Sequence, residues 1–236
     1  MKAALAAVAL AACAQGSAKL VPGDGPGGPI DAPDATLAEH VDAHEFHDAH
    51  VFMDAHVFMD ACVPQTTELL ANPAFDLTPM GTLWTAQPID ASFPIITADN
   101  GIVAHSAPYK AWMGGWAGTD KGVNSLTDLL YQDVTVPANT THLVLTGYYA
   151  VATAETGTTV FDTGNVDLIE TNGTPIEAVL AENNTTSAAN WTALSHTFAT
   201  NVSGRTVRLR FTTTNDITNP TSFYFDTLSL VATHCP

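Results

Sequence analysis

From Cys62 to the C-terminus the chain alternates apolar and polar residues in short runs, and this period of two limits its fold more than any motif does. Successive side chains on a strand point to opposite faces. Leu126 to Val136, His142 to Val151, Asn165 to Thr171, Trp191 to Phe198, Thr206 to Thr212 and Ser222 to Val231 therefore each read as a half-buried strand. Asn172-Gly173, Ser203-Gly204 and Asn219-Pro220 supply turns between them. The segment 62–236 is predicted to be one all-β, antiparallel domain with almost no long helix. About ten strands fit a two-sheet jelly-roll sandwich better than a seven-stranded immunoglobulin fold.

Residues 13–61 cannot build such a core. They include Gly23-Asp24-Gly25-Pro26-Gly27-Gly28-Pro29 and continue in Asp, Ala, Pro and His, the composition of a flexible acidic linker. Asp42-Ala43-His44-Glu45-Phe46-His47, Asp48-Ala49-His50-Val51-Phe52-Met53 and Asp54-Ala55-His56-Val57-Phe58-Met59 form a tandem hexapeptide, too short for a solenoid. Imidazoles and carboxylates are ligands that zinc, copper and nickel prefer. A helix capped by Thr36 and Glu39 would align His40, His44 and His47. A six-residue repeat falls out of step with a turn of about 3.6 residues, so His50 and His56 leave that face. Metal capture by this stretch is the lesser reading, and a plain stalk the better one.

The net charge is −17, with only seven Lys and Arg residues, so no phosphate-neutralising face can be assembled and nucleic acid is excluded as a partner. The chain carries no nucleophile elbow, phosphate loop or zincin helix. His40-Val41-Asp42-Ala43-His44 lacks the Glu that must follow the first zincin His. The domain is read as non-catalytic.

The N-terminus, Met1-Lys2 followed by a small apolar run ending in Leu10-Ala11-Ala12-Cys13, resembles the lipobox of bacterial lipoproteins. The resemblance implies a signal peptide over residues 1–12 and lipidation of Cys13. It also implies an exported protein anchored at the outer membrane or cell surface, each buried lipid methylene contributing about 0.8 kcal/mol. The Asp-Ala-rich stretch resembles linkers that follow the lipobox in secreted proteins of myxobacteria. Without Cys13 the count leaves Cys62 and Cys235, an even number in an oxidising compartment, and they are expected to pair.

A second resemblance spans the globular part. Asn72-Pro73-Ala74-Phe75-Asp76 followed by Trp84 resembles the "N-G-G-F-E … W" opening of galactose-binding-like β-sandwich modules, a class that includes many carbohydrate-binding modules. Ala111-Trp112-Met113-Gly114-Gly115, Leu130-Tyr131-Gln132-Asp133-Val134-Thr135-Val136-Pro137-Ala138 and Val166-Asp167-Leu168-Ile169 follow in the family's order. Gly204 to Phe211 and Thr221-Ser222-Phe223-Tyr224-Phe225-Asp226-Thr227-Leu228-Ser229-Leu230 complete it.

The resemblance implies a structural calcium ion held by the carboxylates of Asp76 and Asp226 with backbone carbonyls between them, although Thr227 stands where the family commonly shows a second Asp. It also implies ligand contact through aromatic rings. Trp84, Trp112 and Trp191 occupy strand-like positions and are expected in the core. Trp116 lies in a glycine-rich turn, and of Tyr148 and Tyr149 one must face outward. These three are the expected ligand-binding rings. The function implied is surface-anchored carbohydrate binding or adhesion, the alternative being a protein-interaction module without a sugar groove.

Overall fold

The computed structural model describes residues 62–87, 93–99, 101–114, 126–186 and 188–236. Cys13, the linker with its histidine repeat, and Trp116 lie outside the described residues. Among the described residues the regular elements are all strands: β1 (Gln65–Glu68), β2 (Thr85–Gln87), β3 (Ile96–Thr97), β4 (Lys110–Gly114), β5 (Thr127–Thr135), β6 (Thr140–Thr153), β7 (Thr163–Glu170), β8 (Pro175–Asn183), β9 (Thr192–Thr197), β10 (Thr206–Thr214) and β11 (Thr221–His234). None of them forms a helix long and apolar enough to cross a membrane. The first sheet runs β3-β4-β11-β6-β9, with β1 also on β11, and the second runs β2-β5-β10-β7-β8. All pairings are antiparallel. The domain is a two-sheet β-sandwich.

The alternation of β10 shows how sequence sets this architecture. Val207, Leu209 and Phe211 are fully buried, while Arg208 and Arg210 between them point away from the core. A slip of one residue would bury both arginines, so the register is strongly specified. Phe211 meets Phe225 of the other sheet at 4.7 Å between ring centres. Trp84 packs between Phe75 at 5.1 Å and Phe211 at 6.0 Å. Gly164 leaves room for the Phe223 ring, because a Cβ there would lie 2.4 Å from it.

The motif residues at the start of the domain organise the chain between β1 and β2. Asn72 accepts the Leu77 N–H through its side chain and donates to the Thr82 carbonyl. Its backbone carbonyl accepts the Trp84 indole N–H at 2.9 Å. Gln132 of β5 accepts from the Ala71 N–H and donates to the carbonyls of Ala71 and Leu83. Asn72 thus ties the segment to itself, and Gln132 ties it to the sheet, so these buried amides have partners.

Cys62 and Cys235 form a disulfide, their Cα atoms 5.7 Å apart and 173 residues apart in sequence. The pairing of β1 with the end of β11, Gln65 opposite His234, brings them within reach. In the middle of β11 the register against β6 shifts between Asp226 and Ser229, and Thr227 there has φ of 52°. This bulge turns Asp226 away from the core while returning Leu228 to it. Opposite stands Gly147, where a Cβ would lie 2.7 Å from the Leu228 side chain.

Candidate functional site

The outward face of the second sheet carries rows of polar side chains from four neighbouring strands. Antiparallel register places residues in rows across the strands, and partners in a row point to the same side. One row is Gln87, Leu129, Thr212, Asn165 and Ala181. The next is Thr85, Tyr131, Arg210, Asp167 and Ala178, and a third joins Asp133 to Arg208 and Ile169. Amides, hydroxyls, carboxylates, guanidinium groups and one phenol ring thus share a continuous surface.

Ion pairs fix the two central arginines. Arg208 donates from Nε and Nη2 to the two oxygens of Asp133, at 2.6 and 3.0 Å, and lies 3.9 Å from the Tyr131 ring centre. The hydrogen bonds to Asp133 hold the Arg208 pKa above its ordinary value against the opposing effect of burial. Arg210 donates to Asp167 at 3.2 Å, and Arg205 pairs with Glu170 at the end of the same strands. A planar guanidinium held in this way keeps its remaining N–H groups in a set direction, the arrangement that recognises an oxygen-rich ligand. The i, i+2 spacings Tyr131–Asp133, Asn165–Asp167 and Arg208–Arg210 are visible in the sequence. Their convergence is not, because β5, β7 and β10 become neighbours only through the sheet order.

The expected aromatic contacts are distributed differently. Tyr148 faces outward from the first sheet, but its ring is stacked on His105, with centres 3.6 Å apart and planes at 20°. Tyr149 packs against the core, and its hydroxyl hydrogen-bonds Glu182. Burial, followed by that bond, raises its pKa. The strand alternation that turns one ring out turns the other in, so Tyr149 is not on the outer surface. Trp84 is in the main core as expected. Trp112 is also buried as expected, but with Ala150 and Tyr224 in a second, smaller cluster, against which Phe93, Ile102 and the half-buried Trp191 pack. Ala111 and Met113 take the inward positions of β4, and Trp112 lies between them on the opposite face. Trp191 donates its indole N–H to the Val103 carbonyl at 2.9 Å.

Asp76 and Asp226 are brought together, with Ser106 between them. The Ser106 N–H donates to Asp226 Oδ2 and its hydroxyl to Asp76 Oδ2, both at 2.9 Å. Asp226 is fully buried, and burial raises its pKa. The Asp76 charge adds to the rise, while backbone N–H groups of Ser106, Thr227 and His105 oppose it.

No protein-family model matches the sequence, and no curated protein sequence matches it significantly. Among solved structures the chain is similar to the carbohydrate-binding module TmCBM61 in complex with β-1,4-galactotriose, at 14% identity and a TM-score of 0.46 over 70% of this chain and 97% of that one. It is similar to a cleaved adhesin domain of Lys-gingipain from Porphyromonas gingivalis, at 14% identity and 0.46 over 72% and 99%. A CBM22 xylan-binding domain from Paenibacillus barcinonensis follows, at 17% identity and 0.43 over 74% and 99%. At these values the likeness is one of sandwich architecture alone.

Proposed function

We propose that this chain is a non-catalytic module that binds carbohydrate on the outward face of its second sheet. The observation that carries the reading is the continuity of Gln87, Tyr131, Arg208, Arg210, Asn165 and Asp167 across four neighbouring strands. A sugar offers vicinal hydroxyls and an apolar C–H face, and this surface has amides and fixed charges beside a phenol ring. Asp133 and Asp167 are each committed to an arginine. Neither is therefore poised as the general acid or nucleophile that a glycoside hydrolase needs.

The proposal extends to location: an acyl anchor at Cys13 and an acidic linker would present the domain outside the cell. Trp116 and Tyr148 belong to the ligand contact only if their alanine variants weaken the same binding without lowering the melting midpoint.

The test is a glycan array probed with the purified protein, followed by titration of the strongest hit into wild type and a Tyr131→Ala/Asn165→Ala variant. Binding lost in a variant that still melts cooperatively at the wild-type midpoint supports the proposal. A folded wild type that binds no glycan, or a variant that binds undiminished, overturns it.

A further inference from the structure

The Asp76–Asp226 pair does not have the donor set of a resident calcium site. Calcium takes roughly six to eight oxygen ligands whose lone pairs point at the ion. A carboxylate offers about four lone-pair sites. Asp226 already receives the Ser106 N–H at 2.9 Å, the Thr227 N–H at 2.6 Å, the Thr227 hydroxyl at 3.4 Å and the His105 N–H. Asp76 receives the Tyr109 N–H at 3.2 Å on one oxygen and the Ser106 hydroxyl on the other. Thr227, in the position where a second carboxylate would add an acceptor, instead adds donors. Among the described residues no three His, Cys, Asp or Glu side chains come together in a way that could hold a metal ion.

A positive charge is nonetheless present. Lys110, the residue after Tyr109, is only 1% exposed, although lysine is almost never fully buried without a partner. Its ammonium donates to the Asp99 carbonyl at 2.6 Å and stands 5.7 Å from the centre of the Trp112 ring. The β4–β11 register that sets Phe225 opposite Ala111 brings Asp226 up beside Lys110 on the neighbouring strand. Burial lowers the lysine's pKa, while the charges of Asp99 and then Asp226 act in the opposite direction.

We infer that the carboxylate pair is balanced from within the chain, by the buried Lys110 ammonium together with the donors of Ser106 and Thr227, and that the sandwich folds without calcium at this position. A buried ammonium and a buried carboxylate are each unfavourable alone and tolerable together, so removing one charge should make the other the liability. Lys110 is on this account a positioning residue for the bulge of β11 and for the 105–109 segment that contacts it.

The purified protein is melted in millimolar calcium and in excess chelator. The two midpoints should coincide, and a calorimetric titration with calcium chloride should show no binding heat. A midpoint that rises with calcium, falls with chelator and stops responding in Asp226→Asn overturns the inference. Lys110→Met should lower the midpoint, and Lys110→Met/Asp226→Asn should recover part of that loss. If the two substitutions simply add, Lys110 is not the counter-charge and the inference fails. Should Lys110→Met not fold at all, recovery of folding in the double variant supports the pairing and failure to recover counts against it.

Discussion

The Arg208 guanidinium lies diagonally across the Tyr131 ring, 3.9 Å from its centre, reaching from β10 to β5 while Asp133 grips it from the same strand as the tyrosine. One face of the ring is thereby occupied, so under the proposed carbohydrate binding a sugar would meet the guanidinium and the ring edge as a single surface. Tyr131→Ala frees the arginine to move, and Arg208→Ala leaves Asp133 without its partner. Each is expected to weaken glycan binding by about tenfold, near 1.4 kcal/mol, with little change in melting midpoint. Titration calorimetry against the strongest array hit checks this.

Glu177 is expected to give the domain a defined acid sensitivity. Burial works to raise its pKa, but the N–H groups of Ala199 and Thr200 and the His196 ring outweigh it and bring the value from 4.5 to about 2. A carboxyl whose folded pKa is depressed stabilises the fold above its unfolded value and loses that contribution as pH falls through the folded one. Wild type should therefore lose stability between about pH 4.5 and pH 2. Glu177→Gln should be less stable than wild type at neutral pH, the gap closing toward pH 2. Melting curves across that range would expose a constant gap, which contradicts the account.

Breaking the Cys62–Cys235 bridge should lower stability by about 2–5 kcal/mol, since it constrains nearly the whole domain in the unfolded state. Denaturant titration of the oxidised and reduced protein measures the difference. Equal midpoints would mean that the β1–β11 pairing alone holds the ends.

Gly164→Ala places a methyl group against the Phe223 ring in a fully packed interior. Overpacking of this kind costs about 1–3 kcal/mol. A urea midpoint equal to that of wild type would show that Phe223 can move aside.

Labelled palmitate should enter the full-length protein in a bacterial host and be lost in Cys13→Ser, as the Leu10-Ala11-Ala12-Cys13 resemblance requires. Incorporation that survives the substitution contradicts the anchor.

The alternation of Val207, Leu209 and Phe211 with Arg208 and Arg210 was enough to make β10 a half-buried strand, and similar patterns in β5, β6 and β11 defined an antiparallel sandwich. Local sequence carries that information because side-chain direction on a strand has a period of two wherever the strand lies. The pairing of Cys62 with Cys235 was likewise available once the lipobox resemblance set Cys13 aside and left two. Tertiary structure alone decided which outward residues meet: Tyr131, Asn165 and Arg210 come from distant strands, and only the order β5-β10-β7 places them side by side. It also decided that Trp112 and Trp191 pack outside the main core, that Tyr148 is covered by His105, and that Lys110 is buried on the strand beside Asp226. Periodicity states which side of a strand a residue occupies, whereas its neighbours follow from non-local pairing that a linear pattern does not encode.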